Sequence, residues 1–401
     1  MGDLVPMHAS VRLQRPPRAL LATPVLLTGG TEFQTLNLAS VLVAAGWETT
    51  VCCYHESNPA MVREFESVGA RVLRLGLSRR LGLIGVAGRL RAAFSTQRPD
   101  VIHVQYLAPG FTAVLAARAA GVRTVFATVH QPGSAYGFRE RLLLRSAAHL
   151  CTAFFAVSKA VERSWFGDAV LADSDRPLPG RKHVTLYNAV DTAGIVQAGQ
   201  GSERSAIRGE WGVAVDAPVV GFIGRVCREK GLDILIRALA EVVVCFPEVR
   251  LVVVGDGPES GALRDLAQSM KVAEWVVWTG MYDRPKVWRQ YAALDLVAVP
   301  SLFEGFGLAA AEAQAAGLPV IAADVGGLRE VVADGESGIL FSCGDHRALA
   351  AAIARLIGAP ELARKMGLRG RLRVEDQFSM KRFARATLAY YESRRSLRSE
   401  R

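Results

Sequence analysis

The feature that most constrains this chain is a rhythm that runs, stops and starts again. Short β-rich runs alternate with helical segments from residue 19 onward. The strand candidates are Arg18–Leu27, Thr49–Tyr54, Arg71–Leu75, Val101–Val104, Thr124–Thr128, Ala153–Val157 and His183–Tyr187, with helical patterns such as Gln34–Ala45 and Phe111–Ala120 between them. Such alternation builds a parallel sheet with helices on both faces. The segment Asp191–Val215 is rich in Gly, Ser and charge, and reads as a linker. The rhythm then resumes at Val219–Ile223, Arg250–Val254, Trp275–Trp278, Leu296–Val299, Pro319–Ala322 and Gly338–Phe341. The expected organisation is a tail (1–18), a first α/β unit (19–195), a linker (196–215), a second α/β unit (216–378), a helix returning to the first unit (379–395) and a tail (396–401). Two doubly wound sheets in one chain place the ligand site in the cleft between their carboxyl ends.

Bulk properties narrow the class. The 401 residues suit two or three domains, and half of them are apolar. No apolar run reaches the roughly 18–20 residues that a membrane span needs. The first eighteen residues lack a signal-peptide core, so a cytoplasmic protein is expected. The six cysteines form no C-x-x-C pair and no Cys/His cluster, which speaks for small core residues and against zinc. Formal charge is +10, and residues 1–195 hold 21 Lys+Arg against 13 Asp+Glu. Arg71 to Arg98 contains seven arginines and no acid, interleaved with Leu75, Leu77, Leu81, Leu83, Ile84, Val86, Leu90 and Phe94. Two readings are open: a solvated helix packed on a sheet, or a surface that lies on anionic lipid at the inner face of a membrane. Nucleic acid is not expected, because no reading motif accompanies the charge.

Several loops carry possible chemistry. Thr28-Gly29-Gly30-Thr31-Glu32 follows a strand and opens a helix, which suits either a phosphate at the helix N-terminus or a tight turn with no ligand. Gly224-Arg225 with Lys230-Gly231 places two cations before the next helix, a pattern that fits a diphosphate or a structural loop. Gly255-Asp256-Gly257-Pro258-Glu259-Ser260-Gly261 imitates a dinucleotide fingerprint, but its last glycine comes one residue late. Ser301-Leu302-Phe303-Glu304-Gly305-Phe306-Gly307-Leu308 leads into Ala309–Glu312, so two glutamates border one helix N-terminus. A carboxylate there can accept two hydrogen bonds from a ribose diol. His130 closes a strand at the expected cleft, with His103 a weaker candidate. Asp173-Ser174-Asp175 sits among prolines and reads as a surface loop, not a metal site.

Taken in order, these motifs resemble the retaining family 4 glycosyltransferases of the GT-B fold. The resemblance runs from about residue 20 to 395 and includes Gly29–Glu32, Val101–His103, Thr128–His130, Val157–Lys159, Tyr187–Asp191, Gly224-Arg225 with Lys230-Gly231, Gly255–Pro258, Pro300-Ser301, the Glu304/Glu312 pair, Pro319-Val320 and Gly326–Glu330. Ala189 departs from it, since many relatives have glycine there. The resemblance implies transfer of a sugar from a nucleotide-diphosphate sugar, with UDP the commonest carrier, to an acceptor hydroxyl with retention and without a metal or other cofactor. It implies that Arg225 and Lys230 hold the diphosphate and Glu312 the ribose. Glu304, with the backbone of Gly305, Phe306, Gly307 and Leu308, would hold the sugar. His130 would contact the sugar or its phosphate, Gly30 the distal phosphate and the acceptor, and Met281 the base. A catalytically silent, membrane-associated nucleotide-sugar-binding protein on the same fold is the alternative.

Overall fold

The computed structural model describes residues 15–105, 107–172, 180–200 and 203–399, with backbone alone for 107–110 and 394–399. Asp173 and Asp175 lie outside the described residues. Strands β1 (Arg18–Thr23), β2 (Glu48–Cys53), β3 (Arg71–Arg74), β4 (Val101–Gln105), β5 (Thr124–Val129), β6 (Ala153–Ala156) and β7 (His183–Thr185) form one parallel sheet in the order β3-β2-β1-β4-β5-β6-β7. Strands β8 (Val219–Ile223), β9 (Arg250–Val254), β10 (Val276–Gly280), β11 (Leu296–Val299), β12 (Val320–Ala323) and β13 (Gly338–Phe341) form a second, in the order β10-β9-β8-β11-β12-β13. Most of their residues are buried, as the near-continuous Val, Leu and Ile runs require when helices cover both faces.

Each sheet reverses its winding direction once, between β1 and β4 and between β8 and β11. Loops leaving neighbouring strands at such a point diverge and open a crevice at the carboxyl ends. The loops after β8 and β11 therefore meet, although some 75 residues of chain separate Lys230 from Glu304.

Element boundaries differ from the sequence reading where local chemistry intervenes. β1 ends at Thr23, four residues early, because Pro24 has no N–H for the ladder and Leu26 forms only an isolated bridge to Ser57. The stretch read as a linker is largely helical, over Thr192–Gln200 and Arg204–Glu210. It also packs: Ile195, Ile207 and Arg208 are buried. The Arg208 guanidinium donates to the carbonyls of Ala293, Val215 and Ala217 and to the Asp295 carboxylate, which also accepts from the Val219 N–H at 2.7 Å. A charge that looks solvated in the sequence thus anchors the start of the second sheet.

The helix Pro360–Gln377 leads the chain back to the first unit, where the Val190 N–H donates to the Phe378 carbonyl at 2.9 Å. The last helix, Met380–Ser399, lies against the helix Gly30–Ala44. Its Tyr391 is fully buried, edge-on to Trp47 and Phe126, and its hydroxyl bonds His103 Nδ1 at 2.8 Å. Each such aromatic pair contributes about 0.5–1.5 kcal/mol beyond area burial. Across the two units, Phe306 of the second packs between Tyr187 and Phe378.

Candidate active site

Two helix N-termini oppose each other across the cleft. The helices Gly30–Ala44 and Leu308–Ala315 both start on glycine (Gly29, Gly307), and neither has a side-chain cap. At the second of these, the first N–H groups face the cleft with the partial positive charge of the helix end; at the first, the buried Glu32 carboxylate lies against Gly29, 2.7 Å from where a Cβ there would stand. The two ends touch: a Cβ on Gly30 would lie 2.9 Å from Leu308 Cδ1. Beside them, a Cβ on Gly305 would meet the His130 carbonyl oxygen at 2.0 Å. Gly305 is therefore required by close approach between the units, whereas Gly30 faces only the flexible tip of Leu308, and the structure brings His130, Gly30 and Gly305–Leu308 together.

The Arg225/Lys230 loop leaves β8, and the Glu304 loop leaves β11. Lys230 Nζ bonds Glu304 Oε2 at 2.6 Å, and Ser301 Oγ reaches the same oxygen at 3.2 Å. Burial alone would lower the Lys230 pKa; the carboxylate outweighs it, so Lys230 sits above its ordinary value and is firmly charged. Arg225 is exposed, and its guanidinium has no hydrogen-bond partner among the described residues. The pair of cations is thus one committed and one open. The fingerprint-like turn explains itself here: Cβ atoms on Gly255 and Gly257 would lie 1.9 Å and 2.1 Å from the carbonyl oxygens of Gly224 and Val226. Its glycines let the loop after β9 lie flat against the Arg225 loop.

Glu312 lies one turn into its helix, where Tyr291 donates to Oε2 at 3.2 Å. Burial raises its pKa, and the nearby Arg284 opposes the shift. Arg284 was not singled out in the sequence. Its guanidinium lies between the rings of Trp288 and Phe33, 4.6 Å and 4.7 Å from their centroids, and so bridges the two units. Met281 stands apart. It is 67% exposed beyond the end of β10, with β9 and β8 between that strand and β11. Phe306 is 2% exposed, so its ring is packed in the core and closed to a ligand.

His130 Nε2 bonds Gln105 Oε1 at 2.9 Å, and desolvation pushes its pKa down to about 4. The ring is neutral at physiological pH, a contact group rather than a charge. Gln105, at the end of β4, had no signal in the sequence beyond its strand-end position. A cavity of about 20 Å³ behind the ring is lined by Gln34, His103, Gln105, Thr128 and Asn188. His103 is structural: it is 2% exposed, bonded to Tyr391 and Thr128, and pushed to a pKa of about 3 by burial.

A third residue whose role the sequence did not show closes the units on each other. Glu330, on the short helix Leu328–Val331, accepts from the N–H groups of Lys159 (3.0 Å) and Ala160 (2.7 Å) and from the Tyr187 hydroxyl (2.7 Å). Its carboxylate caps the first-unit helix Lys159–Phe166 from the other domain. Ser158 Oγ adds a bond to the Gly305 carbonyl at 2.6 Å. Among the described residues no group of three or more His, Cys, Asp or Glu could hold a metal ion, and no helix is long and apolar enough to cross a membrane.

Two doubly wound sheets with facing crevices define the GT-B class of folds. HepE of Anabaena, solved in complex with UDP, has the same fold at a TM-score of 0.78 and 21% identity, over 94% of this chain and 100% of that one. The sucrose-phosphate synthase of Thermosynechococcus elongatus superposes at 0.76 with 22% identity, over 96% and 100% of the two chains. The model for Glycosyltransferase Family 4 matches residues 28–193, and that for Glycosyl transferases group 1 matches residues 203–373. The chain belongs to the family 4 glycosyltransferases. It is 38% identical over 240 residues to the D-inositol 3-phosphate glycosyltransferase of Segniliparus rotundus, covering 56% of this chain and 53% of that protein. It is 33% identical over 261 residues to the alpha-maltose-1-phosphate synthase of Mycolicibacterium smegmatis, covering 62% and 64%. The chain spans about half the length of the first of these curated relatives and just under two thirds of the second.

Proposed function

We propose that the protein is a retaining glycosyltransferase that moves a sugar from a UDP-sugar to an acceptor hydroxyl. The observation that carries this is the meeting of Lys230 and Glu304 at the switch point of the second sheet, opposite His130 and Gly30. Charge develops on the departing diphosphate as the bond from the anomeric carbon breaks. Arg225, Lys230 and the N-terminus of the helix Leu308–Ala315 stabilise that charge in place, which is where catalysis gains most. The acceptor oxygen bonds the anomeric carbon from the face the diphosphate leaves, and its proton passes to a departing phosphate oxygen. Bond made and bond broken balance without a protein base or a metal. Glu312, with one carboxylate oxygen held by Tyr291, has the other for the ribose diol. Glu304 holds the sugar and the backbone of Gly305–Leu308 frames it. Met281 borders the base. HepE, which shares this fold, was solved with UDP, and this favours uridine.

Arg225→Ala and Lys230→Ala should each weaken UDP binding about 10- to 100-fold, the loss of one charge-assisted hydrogen bond set. Full UDP affinity and full transfer rates in both variants would refute the assignment. A catalytically silent binding protein is disfavoured by the intact set of four donor-site residues.

The acceptor half favours an anionic membrane surface. In the helix Gly82–Gln97, Val86, Leu90 and Phe94 pack inward, but Leu83 and Ile84 are 72% and 90% exposed. Arg80, Arg89 and Arg91 are exposed on the same helix and the turn before it, while Arg79 is taken by Glu56. The helix Phe138–Leu150 starts at the same end of the sheet and exposes Phe138 at 81%. Apolar tips with basic flanks suit lipid headgroups. Wild type should float with phosphatidylglycerol vesicles and not with phosphatidylcholine. Equal flotation of Leu83→Glu/Ile84→Glu would sink this reading.

A further inference from the structure

A second concavity lies at the far end of the first sheet from the cleft. Its walls come from the last turns of the helices Phe138–Leu150 and Lys159–Phe166 and from the starts of β6 and β7. In a parallel sheet with returning helices, all of these mark the amino ends of the strands, opposite the crevice. The cavity measures about 370 Å³, within the usual range of small-molecule sites.

Its chemistry is divided in two. Phe154 and Phe166 give an apolar wall, and the Phe166 ring stacks on His183 at 4.1 Å with planes 6° apart. The rim is cationic: Arg145, His149 and Lys182. The two permanent cations are held by backbone oxygens rather than by acids. Arg145 Nε donates to the Trp165 carbonyl at 2.7 Å and Lys182 Nζ to the His149 carbonyl at 3.2 Å. Both terminal nitrogens of the Arg145 guanidinium are left without a partner among the described residues. Among the described residues the nearby acids already have partners, and Asp168 lies 3.7 Å from His183 Nε2. Glu162 holds His183 Nδ1 at 2.8 Å and Thr185 at 2.6 Å, and Asp168 holds Arg181 at 2.7 Å. The Phe154 and Phe166 rings stand edge to face, 5.3 Å apart with their planes at 80°, and form an apolar corner. Two positioned cations without a counterion among the described residues, above that corner, match an anion attached to an apolar ring.

We propose that this pocket is a binding site, separate from the donor cleft, for a phosphomonoester carried on a planar ring. A phosphate dianion would take the Arg145 fork and the Lys182 ammonium, and the ring would fill the corner between Phe154 and Phe166. The site is inferred without the glycosyl-transfer reading; only the use of UDP to fill the cleft in the test rests on it.

Phenyl phosphate and inorganic phosphate are the probes, titrated calorimetrically into full-length protein with UDP present in excess to occupy the cleft. The expected result is one saturable site for phenyl phosphate, at least tenfold tighter than for inorganic phosphate. Arg145→Gln/Lys182→Gln should weaken it at least tenfold while UDP affinity stays as in wild type. If the double variant fails to fold, Lys182→Gln alone, at an exposed position, is read by the same criterion. No saturable phenyl phosphate binding to UDP-saturated wild type overturns the proposal. So does unchanged binding in the variant, or equal affinity for the two probes.

Discussion

Glu330→Gln is the substitution most informative about how the two halves of the site are held together. The carboxylate accepts three hydrogen bonds, all from the first unit, at 2.7–3.0 Å. Hydrogen bonds to a charged group are worth about 1.5–3 kcal/mol each. Glutamine keeps the shape but has only one acceptor oxygen, and its NH2 must then face an N–H of Lys159 or Ala160. Losing one strong bond and leaving one donor unsatisfied costs about 2–4 kcal/mol. That moves the balance between closed and open units by roughly 30- to 700-fold. The readouts are the radius of gyration by small-angle scattering and the dissociation constant for UDP. The variant should be larger in solution and should bind UDP more weakly, because Gly30 and His130 no longer meet Leu308 and Gly305. Tyr187→Phe separates latch from helix cap. It leaves both backbone bonds in place and removes only the hydroxyl contact, so both readouts should move the same way, by about 1.5–3 kcal/mol in the balance between closed and open units. An unchanged radius and unchanged UDP affinity in Glu330→Gln would refute the idea that this carboxylate holds the units together.

Two further substitutions test neighbouring parts of the site. Glu312→Gln should weaken UDP binding about tenfold and abolish the preference for UDP over 2′-deoxy-UDP, since the open carboxylate oxygen is the ribose contact; a preserved preference would remove Glu312 from that role. His103→Gln should flatten the acid limb of stability. Burial depresses the folded-state pKa of His103 to about 3, so the unfolded chain takes up the proton first as pH falls below 6.5. Stability is full above that pH and falls by about 1.4 kcal/mol per unit below it, near 2 kcal/mol at pH 5. Denaturant titrations at pH 7 and pH 5 should show wild type losing about that much more than the variant, and equal losses would contradict the assignment.

How much of this was legible depended on whether a residue's partner was local. The strands could be read because each is a short apolar run that must be buried on both faces, and thirteen of them fall where the alternation puts them. Lys230 and Glu304 could be picked out singly as strand-end residues, but their meeting follows from strand order, which periodicity does not encode. Arg208 shows the opposite failure. Its neighbours made it look solvated, yet its partners are Ala293 and Asp295, far along the chain, and they turn a linker into a packed helix. Glu330 lies in a recognisable motif, but its three donors come from Lys159, Ala160 and Tyr187, each about 140 residues or more away in sequence. The residues that join the two units are the ones a linear reading assigns least well, because neither unit alone needs them. Arg284 against Phe33, Gly305 against His130 and Glu330 against the helix Lys159–Phe166 all cost something in isolation: a guanidinium with one aromatic face uncovered, a flexible backbone, a carboxylate without donors. Each cost is offset only when the cleft is closed, so selection for these residues is selection for the assembled site.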